Sequence, residues 1–548
     1  MKYPSLSAVL LPIPLALSSL ANAAVEDVSD IDPVVVTATR TAETADQTLA
    51  PVTVVSRDEI ERRQSLTTVD ILRGLPGIAM SNSGGPGRQT DLYLRGTNSN
   101  QTLFLVDGIK IGSATTGQAA FQNIPVDQIE RVEVVRGPRS SLYGSEAAGG
   151  VIQVFTRRGG GPLRAFFNTT AGRYGTAGVA GGLSGGGERG RFSVSGNFDQ
   201  AEGFNSCNGI GFPVFAGCGT DEPDKDGYTN QGVSASAGYE FNDRIGLGLN
   251  YFLAESDVEF DGAFTNESRN RQQVLGAKLN LRPVDNWDMT LAAGRSWDDQ
   301  SNYKDGTFYS DFDTQRDTLS WQNDIAIGEQ HLATLGVDYQ KDTVTSTTDY
   351  TIDSRDDTGV FGQYQGWFGP ASVKGSLRYD DNEQFGSYTT GDLALGWEFS
   401  PALRVVASYG TAFTAPTFND LYFPADPFFA GGNPDLKPEQ TRSAELGFSG
   451  LFDALGNPNE VPWQWSLNIY QTDVDDLIAL QPPLFFAENI DRARIRGLEG
   501  VLVGRLLDFD LSANLTLLDP RNASNGPYDG NLLARRPEQT FRLDVDRA

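Results

Sequence analysis

The side chains able to do chemistry in this chain are few in kind and unevenly placed. One histidine, His331, and two cysteines leave no donor set for a histidine-based zinc or haem centre, and none for a Ser-His-Asp triad. His331 lies in a polar Gly-Glu-Gln-His turn and reads as a surface residue. Carboxylates, by contrast, cluster. Asp221, Glu222, Asp224 and Asp226 crowd into TDEPDKDG, and Asp257, Glu259, Asp261 and Glu267 follow in the next long polar stretch. Hard oxygens on neighbouring loops suit Ca²⁺, which takes roughly six to eight of them. Solvated turns have the same composition, and the EF-hand pattern is absent. A second group is mostly uncharged: Ser83 to Gln89 (SGGPGRQ) and Gly112 to Gln118 (GSATTGQ) present hydroxyls and amides on loop-like backbone. A third is the β-branched run Val34-Val35-Val36-Thr37 in an acidic leader. Such a segment can add as a strand to a partner's sheet edge, while Pro33 and the acidic residues discourage premature pairing.

The elements that must position these groups fall into distinct textures. Residues 1–23 have a basic start at Lys2, an apolar run from Ala8 to Leu20 broken by Pro12 and Pro14, and Ala21-Asn22-Ala23 as a cleavage site. This is a secretory signal peptide, too short to span a membrane. Export agrees with Cys207 and Cys218, an eleven-apart pair expected to bridge; closing that loop would stabilise by about 3 kcal/mol. Residues 24–45 form a leader. Residues 46–158 read as a compact, Arg-rich α+β domain, with a helical stretch from Ser56 to Leu72 opened by a Ser56–Glu59 capping box. From residue 159 to 548 the pattern changes to period two: Ile245, Leu247, Leu249, Tyr251 and Leu253 share one face, and Phe509, Leu511, Ala513, Leu515 and Leu517 another. Strands of about ten residues between alternately short and long connections are the signature of an outer-membrane barrel. The long stretches 201–230 and 255–272 would face outside. A wide, polar lumen calls for a plug, and guanidinium groups of the Arg-rich domain can pair with lumen carboxylates. The formal net charge of −28 argues against a nucleic-acid partner.

Motifs sharpen this. Leu72-Arg73-Gly74-Leu75-Pro76-Gly77, Leu94-Arg95-Gly96, Leu105-Val106-Asp107-Gly108, Ile129 to Pro138 (IERVEVVRGP) and Leu142 to Ile152 (LYGSEAAGGVI) resemble the plug motifs of TonB-dependent outer-membrane receptors. Tyr409 to Pro416, Gly432 to Glu439 and Arg496-Gly497-Leu498-Glu499-Gly500 resemble their barrel motifs, in the same order. Within the family the likeness is strongest to cobalamin (vitamin B12) receptors, through Val36 to Arg40, Leu49 to Val55, Arg95 to Asn98 and Arg136 to Ser140.

The resemblance implies an all-β transmembrane barrel around an N-terminal α+β plug, in a monomer seated in outer-membrane lipid of a Gram-negative bacterium. Asp32, Pro33, Val34, Val35, Val36, Thr37 and Ala38 would be the TonB box, which the energy-coupling protein TonB pulls from the periplasm. Gln89, Asp91, Asn98, Thr115 and Thr116 would bind the substrate at the plug apex. Asn205, Glu222, Asp224, Asp226, Asp261, Glu267 and the Phe260 carbonyl would hold Ca²⁺ on the extracellular loops. No catalytic cofactor is implied. The expected function is active import of cobalamin, with a ferric-siderophore receptor as the alternative and a passive porin or adhesin as a different class. The family's barrels have about 22 strands. Matching Leu532 to Pro537 to the family places the last residues in about the eighteenth, so about 18 strands, a missing C-terminus and an open seam are expected here.

Overall fold

The computed structural model describes residues 35–36, 40–41, 43–44, 47–207, 220, 222–425, 430–453, 462–481, 486–526 and 528–547. The signal segment, and Asp32, Pro33, Val34, Thr37, Ala38 and Cys218, lie outside the described residues.

Eighteen antiparallel strands, from Arg164–Ala171 to Gln539–Arg547, pair strictly in sequence order to form one sheet. This is the strand number expected above. The first and last strands are its two outer members, with no pairing to each other among the described residues. Alternation explains the placement of side chains. On the strand Gly386–Ser400, Leu393 and Leu395 are about half exposed while Ala394 is only 6% exposed. Large apolar side chains therefore point out, and small or polar ones in, as a lipid-facing wall around a polar interior requires. Among the described residues no helix is long and apolar enough to cross a membrane.

The sheet wraps a smaller unit built on a five-stranded sheet. Its strands lie in the order Val52–Ser56, Ile129–Arg136, Gly150–Thr156, Thr102–Val106, Ile109–Ile111, with one parallel pair between Thr102–Val106 and Gly150–Thr156. Continuous apolar runs make this sheet buried on both faces. Leu94, Phe104, Val106, Ile129 and Ile152 share a core with Phe252 and Val274 of the surrounding strands. The expected single helix is two, Arg57–Arg62 and Thr68–Leu72. The break follows from Gln64, whose φ of 51° ends the first helix, and from Thr67, which caps the second in a full box with Asp70. Ser56 caps only one way, accepting from the Glu59 amide at 3.3 Å.

Buried ion pairs join plug and wall, beside the shared apolar core and neutral hydrogen bonds such as Gln128 to Asn197 at 2.8 Å. Arg95, 2% exposed, gives two hydrogen bonds of 2.9 and 2.8 Å to Glu499 and two of 3.0 and 2.9 Å to Glu445. Its guanidinium also lies 4.2 Å over the Tyr470 ring. Arg136 approaches Glu499 at 3.4 Å, so two buried cations face two buried anions. Arg40 meets Asp338 at 2.8 Å, and Arg316 of the wall meets Glu146 of the plug at 3.4 Å. The expected pairing of plug guanidinium groups with lumen carboxylates is present.

In the leader, Val35–Val36 forms a two-residue strand paired antiparallel with Glu43–Thr44. Glu43 is buried and accepts from Gln365 of the wall at 2.8 Å.

Candidate functional site

The hairpin Ile78–Asn82/Thr90–Leu94 carries the loop 83–89 to the end of the plug from which the long wall loops emerge. Glycine is required within it. Gly87 has φ of +74°, and a Cβ there would lie 2.2 Å from the Tyr228 ring. A β-carbon on Gly84 would come 3.0 Å from Ser206 Oγ, so this loop packs directly against the wall loop holding the acidic cluster. The second apex loop is closed by Ser113 N donating to Gln118 O at 2.9 Å.

Two cavities open between these loops and the wall. One, of about 510 Å³, is lined by Asp91, Asn98, Thr115 and Thr116 together with Tyr93, Thr417, Asn419 and Phe423. The other, of about 390 Å³, is lined by Gln89, Arg88, Phe260 and a polar stretch of wall that includes Asn270, Gln272 and Gln300. Thr116 and Gln118 border both, and Gln89 Nε2 donates to Gln118 Oε1 at 3.3 Å across the divide. All five expected substrate residues thus line one of two adjoining cavities. They are not equally free. Thr115 is buried and its hydroxyl lies 2.7 Å from Ser113 Oγ. Asp91 accepts from Arg535 at 3.0 Å, and Asn98 Oδ1 accepts from Arg536. Arg536 also donates to Gly96 O at 2.6 Å and covers the Tyr93 ring, and its burial lowers its pKa.

Sequence reasoning missed two contributors. Arg535 and Arg536 come from the connection 523–538, more than four hundred residues from the plug groups they hold. The segment Phe418–Tyr422 is a short helix docked on the apex by Phe418 N to Ala114 O (3.1 Å) and Asn419 N to Thr115 O (3.2 Å). A signal for it was legible: Thr417 and Asp420 stand three apart as a capping box, and form one.

The acidic loops come together in part. Carboxylate oxygens of Glu222, Asp224 and Asp261 lie within 4.8 Å of one another. Asp261 is 4% exposed; one of its oxygens accepts from the Glu222 amide at 2.9 Å, and the other is buried without a hydrogen-bond donor. Burial first, then Asp226, Asp224 and Glu222, push the Asp261 carboxyl above its usual range. An orphaned carboxylate oxygen among like charges fits a hard cation. Three of the other expected ligands, Asp226, Asn205 and Glu267, hold hydrogen-bond partners of their own. Asp226 accepts from the Ser206 amide and hydroxyl. Asn205 accepts from Cys207 N at 2.9 Å and donates to Glu222 O at 2.5 Å. Glu267 accepts from Gly306 N at 2.8 Å. Phe260 lies under Arg88, 4.0 Å from ring centroid to guanidinium. Lys304 donates to Glu222 and at 3.0 Å to Gly262 O, neutralising one carboxylate. Arg88 is lowered by burial against the opposing pull of Asp226 and Asp261, so the apex loop senses this cluster directly. Cys207 is buried beside it, and no free thiol occurs among the described residues.

Comparison with known proteins agrees with this geometry. Residues 168–547 match the family model described as TonB dependent receptor-like, beta-barrel, and residues 44–151 match the TonB-dependent receptor plug domain. The vitamin B12 transporter BtuB of Photobacterium profundum is 34% identical over 498 residues, covering 89% of this chain and 78% of that protein. BtuB of Vibrio vulnificus is 31% identical over 554 residues, covering 97% and 85%. Among solved structures, a ferric enterobactin receptor (PfeA) mutant from Pseudomonas aeruginosa, in complex with enterobactin, superposes with a TM-score of 0.76 at 19% identity, over 91% of this chain and 84% of that one. The siderophore receptor PirA of Acinetobacter baumannii gives 0.74 at 17%, over the same shares; both likenesses are of fold. An eighteen-strand wall, a plug held inside it by buried ion pairs and two matching family models lead to one conclusion: the chain belongs to the TonB-dependent receptors, transport proteins of the Gram-negative outer membrane and not enzymes.

Proposed function

We propose that this receptor imports cobalamin, binding it at the plug apex under the extracellular loops. The observation that carries the reading is the pair of adjoining cavities lined by hydroxyl and amide side chains, in a chain about one-third identical to vitamin B12 transporters over most of its length. A corrinoid is large and rimmed by amides, and Gln89, Thr116 and Gln118 at the shared border can donate to and accept from such groups. Calcium on the outer loops belongs to the same proposal. Glu222, Asp224 and Asp261 would hold it, and its charge would offset the buried Asp261 carboxylate and fix the loop that packs on residues 83–89. A Cys207–Cys218 bridge would tie down the same loop. The segment Asp32 to Ala38 would serve as the TonB box, and one copy of the chain in outer-membrane lipid would suffice for transport.

Substitution at the border between the cavities tests this. Gln89→Ala and Thr116→Val are each expected to weaken cobalamin binding by roughly tenfold, the effect of losing about one hydrogen bond, with the melting temperature unchanged. Wild-type affinity in both variants would remove the apex as the substrate site.

A further inference from the structure

Arg88 is the only cation among the described residues that line the two apex cavities, and the contacts proposed with corrinoid amides do not use it. The other charged groups on the linings are carboxylates: Asp91 and Asp420 in one cavity, Asp298 and Asp299 in the other. Each is engaged or turned away. Asp91 takes Arg535, and Asp420 closes the capping box with Thr417. Asp298 accepts from Gln272 at 3.1 Å. Ser296 of the same strand donates to Lys110 O of the plug, so alternation puts Asp298 on the lumen face and Asp299 on the outer face, in register with Arg271.

Arg88 is placed differently. Its guanidinium lies 4.0 Å over the Phe260 ring, which holds its plane. Its Nε donates to Ser83 O at 3.4 Å, and its two terminal nitrogens have neither a hydrogen-bond nor an ion-pair partner among the described residues. Asp226 and Asp261 attract it through space, but neither pairs with it: Asp226 is turned to Ser206, and Asp261 to the Glu222 amide. Register also separates Arg88 from Asp298. The neighbouring Gly87 lies against Val258, level with Ser268 and Asn302. Asp298 is level with Gln272 and Ala254, four residues deeper and so roughly 14 Å along the strands. Asn270 and Gln300 stand between. The cavity thus has a cationic outer end, amides along its length and one carboxylate at its inner end.

We propose that Arg88 receives the phosphodiester of the corrinoid's nucleotide loop, an assignment that rests on the cobalamin reading. That phosphate is the only anionic group on the ligand's periphery, the remainder being neutral amides, and Arg88 is the only cation the described cavity linings offer it. A guanidinium pairs with phosphate through two parallel hydrogen bonds. Stacking on Phe260 fixes the plane of the fork and leaves its terminal nitrogens free for that pairing. Arg88 therefore sets a preference for corrinoids that carry the phosphate over those that lack it.

The test measures equilibrium binding of three probes to the purified receptor in calcium: cobalamin, cobinamide phosphate, which keeps the phosphate without the base, and cobinamide, which lacks both. Arg88→Gln is expected to weaken cobalamin and cobinamide phosphate by about thirtyfold, the scale of hydrogen bonds to a charged group, and to leave cobinamide within about twofold. Arg88→Lys, which keeps the charge without the planar fork, should restore part of the selectivity. If the glutamine variant fails to assemble, the wild type decides: it should bind cobinamide phosphate more tightly than cobinamide, and rising ionic strength should narrow the gap. An equal loss for all three probes in Arg88→Gln, an unchanged affinity for cobalamin, or a wild type indifferent to the phosphate would overturn this assignment while leaving the cobalamin reading intact. A wild type that binds none of the three would overturn both.

Discussion

At the residue scale, the most informative side chain is Asp261. It is buried, one of its oxygens has no donor, and three other carboxylates raise its pKa. At neutral pH its charge is therefore a cost to the fold unless a cation offsets it. Asp261→Asn keeps an acceptor for the Glu222 amide and removes that cost. The variant is expected to melt at or above the wild-type temperature in chelator, and to lose any rise on adding calcium; a calcium-induced rise equal to the wild type's would show that the cation is held elsewhere. The acidic residue types were legible in the sequence, whereas their division of labour was not. Asp226 turns to Ser206, and Glu267 to Gly306, because local backbone donors lie nearer than the cluster. Spacing in a loop says which residues are close in sequence, not which of them a neighbouring amide will claim.

Among the elements, the leader and the apex loops matter most. The two described residues of the expected TonB box, Val35 and Val36, are already a strand, paired with Glu43–Thr44 rather than with a partner. A segment that pairs within its own leader can exchange that partner for another sheet edge at little net change in backbone hydrogen bonds. Val36→Pro removes a backbone donor from either pairing. It should abolish energised uptake while leaving equilibrium binding at the apex intact; uptake at the wild-type rate would mean the coupling segment lies elsewhere. The existence and type of most elements could be read from sequence, since period-two alternation in strands such as Ile245–Glu259 leaves little choice. The helix break at Gln64 could not, because nothing in its side chain announces a positive φ. Nor could the docking of Phe418–Tyr422 on the apex, which depends on where a long connection folds back.

For the whole molecule, the plug is held inside the wall by a shared apolar core, neutral hydrogen bonds and a set of buried ion pairs. The Arg95–Glu445–Glu499–Arg136 group joins residues up to 404 positions apart and is almost fully buried. A sequence could suggest that an Arg-rich plug meets carboxylates, but only the register of the strands selects Glu445 and Glu499. Removing one member leaves a buried charge uncompensated, at a cost of about 3–5 kcal/mol. Glu499→Ala should therefore lower the midpoint of plug unfolding and expose the plug to protease, while the wall keeps its β-sheet signal; an unchanged midpoint would mean that the ion pairs do not hold the plug. These contacts secure a plug whose outer end is the proposed substrate site, and the central claim is that this site takes cobalamin. The direct measurement is equilibrium titration of the purified chain with cobalamin and, separately, with ferric siderophores, each with calcium and with chelator. The account predicts saturable one-to-one binding of cobalamin that tightens with calcium, and no competition from the iron chelates. Saturable binding of a ferric siderophore with none of cobalamin would contradict it.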